Sequence, residues 1–195
     1  FFTALGLRLL QGYGQTEGMT MTFLSQEDHQ RAIAGDHPER LGSCGREGFV
    51  SEILVVDPDG NPVPRDGSAA GEIIVRSEAN MLGYWRRPDL TEKTLRDGWM
   101  WTGDIATWDA EGYAFIVDRA KDMIISGGEN IYSTQVEAAI HEHPAVLESA
   151  VFGIPDDTWG EAVKAVVVLK PGQTATEADI IAEASKHLAS YQKPK

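Results

Sequence analysis

The sequence is poor in cysteine, in positive charge and in long apolar runs. Its single cysteine, Cys44, excludes an internal disulfide and a cysteine-based metal cluster, so we expect a reduced, cytoplasmic protein. The longest apolar run covers only residues 165–169, far too short for a transmembrane segment. Lysine and arginine total 17 against 30 aspartate and glutamate residues, a formal charge of −13. Because nucleic acids are polyanions, this balance argues against DNA or RNA as a partner.

The two ends of the sequence suggest a piece of a longer protein. Residues 1–6 carry no initiator Met and lack the basic, apolar and small-residue layout of a signal peptide. Residues 191–195 form a basic, turn-like end without a terminating element. Apolar residues make up 42% of the 195, which is enough for one good core or two small cores.

The patterning predicts an α+β fold in two parts, with a boundary near Arg119. The first part is β-rich, with a helix starting at Pro88 and strands at 50–56, 71–76, 99–101, 105–108 and 113–117. The second part alternates helices and strands. Its helices should follow capping boxes at 134–137 and 174–177, and its strands should cover 146–154 and 162–169. The second of these strands is apolar enough to be central in its sheet.

The segment 12–18, with the sequence GYGQTEG, is the first candidate site. It is not the dinucleotide fingerprint, because glutamate occupies the position of the third glycine, and it lacks the ending of a phosphate P-loop. It presents the ring of Tyr13, the hydroxyl of Thr16 and the carboxylate of Glu17. These groups can stack on a base, bond a phosphate and hold Mg²⁺. Taken alone, the segment is more typical of a plain glycine-rich turn beside a strand.

Three other features could carry chemistry. Asp104 follows a glycine turn, where its carboxylate could accept hydrogen bonds from both hydroxyls of a ribose or could merely cap the turn. The charged run 118–122 lies at the predicted boundary and could be a solvated linker. Gly127 and Gly128 form a second glycine loop, where the backbone could approach a ligand closely or make a plain hairpin.

Together, five segments give a far more specific signal than any one of them. In order and spacing they resemble the C-terminal part of the AMP-forming acyl-CoA synthetases, within the adenylate-forming superfamily; the segments are 12–17, 71–73, 81–85, 97–104 and 118–131. The resemblance covers essentially the whole chain. It implies a ligase with ATP, Mg²⁺ and CoA as cofactors and co-substrates. A carboxylic acid, expected to be a fatty acid, would become an acyl-adenylate, and the CoA thiol would then displace AMP.

The resemblance also implies roles for the residues of the adenylation site. Tyr13 should lie against the adenine, and Thr16 should lie near the α-phosphate. Glu17 should bind Mg²⁺. Asp104 should hold the ribose hydroxyls, with Arg119 supporting the ribose.

The same resemblance divides the chain into two functional parts. Residues 1–118 would form the C-terminal portion of the large adenylate-binding domain, with a distorted-barrel-like, β-rich end. Residues 119–195 would form a small, mobile α+β domain, cut before the C-terminal lysine of the adenylation step. Lys121 matches the hinge position between them. Gly127 and Gly128 match the loop that passes close to the pantetheine arm of CoA.

Two other functions stay open at this point. One is an adenylation domain that loads a carrier protein, and the other is a nucleotide-binding module without catalysis of its own. The family's upstream phosphate loop and acid pocket are not in the sequence, so we expect the isolated chain to be inactive. Ser133 and Gln135 stand where the family often has proline and glutamate.

Overall fold

The computed structural model describes residues 6–195, so most of the atypical N-terminal segment, residues 1–5, lies outside the described residues. The chain divides into two compact units, the first ending at Ile116 and the second covering Val117–Lys195. Both units combine strands with helices, which confirms the predicted α+β class. Within residues 6–195, no helix has the length and apolar character needed to cross a membrane.

The first unit is dominated by antiparallel sheet. Its strands are β1 (Gln11–Gln15), β2 (Met19–Leu24), β3 (Arg46–Glu47), β4 (Ser51–Val56), β5 (Gly71–Ser77), β6 (Leu95–Arg96), β7 (Trp99–Trp108) and β8 (Ala114–Arg119), the last of which runs across the unit boundary. Helices α1 (Gln26–Ile33) and α2 (Pro88–Thr94) and a 3₁₀ turn (Pro38–Gly42) connect them. The described strands pair as β1-β2-β3 and as β4-β5-β7-β6, with β8 joined to β7. Alternate side chains of β4 and β5, with Met21, Met100 and Trp108, form the core.

Strand β7 differs from its prediction, because one ten-residue strand replaces the two short strands expected around 99–108. The glycine turn that was expected to separate them lies inside the strand. Gly103 has φ +75°, a backbone conformation that glycine adopts without steric cost. The register against β5 shifts between Glu72 and Ile74, so the strand passes through a bulge and continues.

The second unit is a four-stranded sheet with two helices. Its elements are β9 (Ile124–Ser126), β10 (Glu129–Ile131), α3 (Ser133–His141), β11 (Val146–Asp156), β12 (Gly160–Leu169) and α4 (Glu177–Ala184), followed by a 3₁₀ turn (Ser190–Gln192). The strand order is β10-β9-β12-β11, so β12 is an inner strand, as predicted. Val136, Ala139 and Ile140 are all buried in the core of this unit, on the α3 stripe expected from their spacing.

The start of helix α3 shows why a local capping pattern can fail. The predicted box at 134–137 is absent, because Thr134 Oγ1 donates to a β8 carbonyl and Glu137 Oε1 accepts from a β11 amide. The N-terminus is instead capped from β8. Asp118 Oδ2 accepts from the Ser133 amide at 2.5 Å and from the Ser133 hydroxyl at 2.9 Å. A buried carboxylate from another element has taken the place of the local cap.

Helix α4 does have a capping box, two residues later than predicted. Thr176 Oγ1 accepts from the Asp179 amide, and the Asp179 carboxylate accepts from the Thr176 amide. The sequence offers two overlapping matches to the pattern. The one that forms places Glu177 and Asp179 in the first turn, where negative charge is favoured by the helix dipole.

Candidate functional site

The segment 12–18 is half strand and half turn. Tyr13 and Gln15 belong to β1, which pairs with β2, and residues 16–18 make the connecting turn. A side chain at Gly14 would collide with the backbone of β2, since its Cβ would lie 1.9 Å from the Met19 carbonyl oxygen. The plain-turn alternative therefore describes only residues 16–18. The side chains of Tyr13 and Gln15, on strand β1, contact other parts of the first unit.

Asp104 brings the first two candidate motifs together. Its Oδ2 accepts from the Tyr13 hydroxyl at 2.6 Å and from Gln15 Nε2 at 2.8 Å. Gln15 Nε2 also donates to the Thr102 carbonyl at 2.9 Å. The two partners are 91 and 89 residues away from Asp104 in the sequence, and Asp104 is only 7% exposed. The carboxylate is thus fixed by strand β1 rather than used to cap its own turn.

The turn that carries Asp104 is held by other groups. The Gly103 amide donates to Glu72 Oε1 at 2.8 Å, and the Asp104 amide donates to Thr102 Oγ1 at 3.1 Å. The Thr102 hydroxyl in turn donates to the Ile73 carbonyl at 2.8 Å. Burial raises the pKa of Glu72, and the Gly103 amide partly opposes that rise. Strand β5 therefore supports the backbone from which Asp104 projects.

Tyr13 remains a hydrogen-bond donor throughout the physiological pH range. Burial raises the pKa of its phenol far above the ordinary value, and the hydrogen bond to Asp104 raises it further. Its ring is half-buried and packs against the core of the first unit. A half-covered aromatic ring beside a fixed carboxylate is an arrangement that suits a nucleoside, whose base stacks while its sugar donates hydrogen bonds.

Glu17 lies in the turn and is held by the segment after β5. The Tyr84 hydroxyl donates to Glu17 Oε1 at 2.9 Å, and the Met81 amide donates to the Glu17 carbonyl at 2.6 Å. Burial raises the pKa of Tyr84, and its bond to Glu17 adds to the rise. Thr16, next to Glu17, is exposed.

The donor set around Glu17 fits Mg²⁺ shared with a substrate. Among the described residues, no group of three or more His, Cys, Asp or Glu side chains could cage a metal ion. Mg²⁺ commonly binds through one or two carboxylates together with water and substrate phosphates. The held carboxylate of Glu17 meets that requirement, with the remaining ligands coming from phosphate and water.

Arg119 and Lys121 belong to the second unit, whereas Tyr13 and Asp104 belong to the first. Arg119 ends β8, and its amide donates to Asp118 Oδ1 at 2.7 Å. Lys121 is exposed in the following turn, with Nζ 3.9 Å from the carboxylate of Asp122. The unit boundary falls between residues 116 and 117, slightly before the predicted position. The hinge role of Lys121 stays a prediction.

Gly127 and Gly128 are the two-residue turn of the β9–β10 hairpin. Their φ angles are +62° and +86°, as expected for both central positions of a type I′ turn. The Gly127 amide donates to the Trp159 carbonyl at 2.8 Å, and a Cβ on Gly127 would lie 2.9 Å from the Trp159 ring. A Cβ on Gly128 would meet no heavy atom of residues 6–195 within 4 Å. The hairpin alternative is correct as geometry, and it leaves open space beside Gly128.

The sequence interpretation missed four residues that the structure places at these sites. Gln15 and Glu72 support Asp104, Tyr84 holds Glu17, and Trp159 covers Gly127. The first three lie inside segments that carried the family resemblance, which was the available signal. Trp159 lies outside them, and its position depends on the pairing of β12 with β9.

Two family models match the chain. Residues 1–85 match the model described as AMP-binding enzyme, and residues 135–195 match the model described as AMP-binding enzyme C-terminal domain. Each match falls on one side of the boundary between the two units.

Known proteins resemble the chain over almost its entire length. A feruloyl-CoA synthase from an Amycolatopsis species is 43% identical over 190 residues, which are 97% of this chain and 37% of that protein. The medium/long-chain-fatty-acid–CoA ligase FadD8 of Mycobacterium tuberculosis is 42% identical over 193 residues, covering 95% of this chain and 32% of that protein. The solved structure of the amide bond synthetase McbA from Marinactinospora thermotolerans is 38% identical, with a TM-score of 0.80 over 96% of this chain and 37% of that protein. The chain thus spans about a third of the length of the proteins it matches.

Proposed function

Because the chain belongs to the adenylate-forming superfamily of AMP-binding enzymes, we propose that it forms the C-terminal part of an AMP-forming acid–CoA ligase. The complete enzyme activates a carboxylic acid with ATP and transfers the acyl group to CoA. The observation that carries this proposal is the meeting of Tyr13, Gln15 and Asp104 in one cluster. It provides a fixed carboxylate beside an aromatic ring, which is what an adenosine needs.

The nucleoside part of ATP would bind at this cluster. The Tyr13 ring lies against the adenine, and the Asp104 carboxylate accepts from the ribose hydroxyls. Because β1 and β5 already fix the carboxylate and its backbone, little ordering is required when the ligand arrives. Arg119 would support the ribose.

The turn at 16–18 would face the phosphates. The Thr16 hydroxyl bonds an α-phosphate oxygen, and Glu17 holds the divalent cation. The bound Mg²⁺ would neutralise charge that develops on the phosphates during attack by the acid. The Tyr84 hydroxyl donates a hydrogen bond to this carboxylate. A carboxylate held before substrate binds lowers the cost of reaching the transition state.

The second unit would serve the thioester-forming step. The open space beside Gly128 suits close passage of the pantetheine arm, because no side chain in the described part of the protein obstructs that side of the turn. Trp159 packs over the other glycine, Gly127. Lys121 acts as the hinge that changes the pose of the unit between the two steps.

We propose a fatty acid as the substrate and the cytoplasm as the location. The fatty-acid ligase at 42% identity favours this choice, and the feruloyl-CoA synthase at 43% makes an aromatic acid the main competitor. The amide bond synthetase at 38% raises a second candidate function, transfer of the acyl group to an amine instead of CoA.

The test uses the full-length protein that carries this chain. ATP–pyrophosphate exchange is measured with a fatty acid, a hydroxycinnamic acid and a succinylated aromatic acid, and products are then identified with CoA, a phosphopantetheine carrier protein or an amine added. We expect the fastest exchange with the fatty acid and a thioester with CoA. Exchange with only the aromatic acids would contradict the proposal of a fatty-acid substrate. Products formed only with the carrier protein or the amine would contradict the proposal that the acyl group is transferred to CoA.

A further inference from the structure

Tyr84 and Glu17 are joined by a hydrogen bond between segments that are 67 residues apart in the sequence. We propose that Tyr84 is a positioning residue, which holds the Glu17 carboxylate in the orientation that binds a divalent cation. The inference rests on the role of Glu17 in the proposed function. It adds that cation binding depends on a residue that itself touches neither the cation nor the nucleotide.

The segment 80–84 holds Glu17 at two points. The Met81 amide donates to the Glu17 carbonyl at 2.6 Å, which fixes the backbone of the turn. The Tyr84 hydroxyl donates to the side-chain oxygen Oε1 at 2.9 Å, which fixes the rotation of the carboxylate. Asn80 ties the same segment to β5, because its Nδ2 donates to the Val75 carbonyl at 3.0 Å. Glu17 is therefore held against the main sheet of the first unit.

Tyr84 is itself anchored to helix α2. Its amide donates to Thr91 Oγ1 at 2.9 Å, and the Thr91 hydroxyl donates to the Arg87 carbonyl at 3.0 Å. Gly83 makes this approach feasible, because a Cβ at that position would lie 2.9 Å from the Thr91 methyl group. Its φ of +149° is also one that side chains rarely adopt. The donor therefore has a defined position before any ligand binds.

The bond to Tyr84 leaves Glu17 suited to a cation. A carboxylate has about four lone-pair positions, and the phenol uses one of them. A hydrogen bond to one oxygen orients the group without neutralising its negative charge. Removal of a hydrogen-bond partner from a metal ligand typically costs about 10- to 100-fold in metal affinity. We expect the lower end of this range, since Mg²⁺ would keep water and phosphate ligands as well.

Calorimetric titration of ATP into the full-length protein over a series of Mg²⁺ concentrations measures the effect directly. The readout is the Mg²⁺ concentration that gives half of the maximal gain in ATP affinity. In Tyr84→Phe we expect this concentration to rise about tenfold. The ATP affinity without Mg²⁺ should stay within about twofold, because the nucleoside cluster is untouched. Thr91→Val, which removes the anchor of Tyr84, should give a smaller rise in the same direction.

Tyr113→Phe is the matched control. Tyr113 also donates its hydroxyl to a carboxylate, Asp28 Oδ1 at 2.7 Å, but that pair does not include Glu17. The control should leave the Mg²⁺ dependence unchanged. A Tyr84→Phe protein with the same unchanged dependence would overturn the inference, provided that Glu17→Gln raises the required Mg²⁺ concentration. If Glu17→Gln has no effect either, the proposed role of Glu17 fails first and the inference fails with it.

Discussion

Besides Tyr84 and Glu17, the described part of the first unit holds the tyrosine–carboxylate pairs Tyr13–Asp104 and Tyr113–Asp28, which are alike in geometry and different in surroundings. Tyr13 donates to Asp104 at 2.6 Å, and Tyr113 donates to Asp28 at 2.7 Å. Tyr113 is 2% exposed, and its carboxylate partner also takes part in the capping box of helix α1. The Tyr13 ring is half-buried, and its partner lies at the candidate nucleotide site. The same hydrogen bond can therefore serve either stability or ligand binding, and its surroundings decide which.

The surroundings of Tyr113 are those of a structural joint. The guanidinium of Arg40 lies 4.1 Å from the centre of the Tyr113 ring, while its Nη2 contacts the carboxylates of Asp109 and Glu111. Arg40 is itself only 5% exposed. The pair thus fastens helix α1 and the following 3₁₀ turn to the loop between β7 and β8.

The largest expected difference between the two pairs is in ATP affinity after removal of each carboxylate, by Asp104→Ala and by Asp28→Ala. We expect Asp104→Ala to weaken ATP binding to the full-length protein about a hundredfold, since two hydrogen bonds to a charged group are worth about 1.5 kcal/mol each or more. Asp28→Ala should leave the affinity unchanged. Calorimetry measures both. Asp104→Ala should also lower stability by about 1–3 kcal/mol, because Tyr13 and Gln15 lose their acceptor. Normal affinity in Asp104→Ala would contradict the assignment.

Tyr113→Phe should lower the free energy of unfolding more than Tyr13→Phe does. Removal of its hydroxyl leaves the buried Asp28 carboxylate with one donor fewer, so we expect a loss of about 1.5–3 kcal/mol in the free energy of unfolding. The phenyl ring keeps its contact with Arg40. Urea unfolding of the purified chain measures the change. A loss below about 0.5 kcal/mol would mean that the pair is not the joint described above.

Tyr13→Phe should weaken ATP binding more than Tyr113→Phe does. The ring that is proposed to lie against the adenine is kept, and Gln15 still donates to Asp104, so only one support of the carboxylate is lost. We expect about a fivefold weaker ATP affinity, corresponding to about 1 kcal/mol. Calorimetry on the full-length protein measures it, with Tyr113→Phe as the control. Equal affinities in the two variants would erase the distinction between the pairs.

The pH dependence of stability should reflect the structural pair. Burial alone would raise the pKa of Asp28, but hydrogen bonds from Ser25 and Tyr113 hold it below the ordinary value. A carboxyl group with a lower pKa in the folded chain adds stability above its unfolded pKa of about 3.9, and that stability is lost as the pH falls through the folded value. The urea concentration at the midpoint of unfolding should therefore decrease as the pH is lowered from about 5 to about 3. The fall should be shallower in Tyr113→Phe, and an unchanged slope would exclude Asp28 as its source.

Local sequence patterns predicted local structure well and long-range pairing poorly. The Gly127–Gly128 turn and the buried stripe of α3 follow from neighbouring residues, so the sequence was sufficient for them. The support of Asp104 by Gln15 and Glu72 depends on the register of β1 and β5 against other segments, which no local pattern encodes. For the same reason the capping box at 134–137 was wrong. The groups that replaced it come from β8 and β11.

The bonds between Asp118 and Ser133 have a mechanical consequence for the turn that contains Lys121. The two hydrogen bonds join the end of β8 to the start of α3, and they close residues 119–132 into a loop. Rotation of the backbone at Lys121 would break both of these hydrogen bonds. Because the acceptor is charged, each would cost about 1.5–3 kcal/mol. The hinge motion proposed at Lys121 therefore includes the release of both bonds between Asp118 and Ser133.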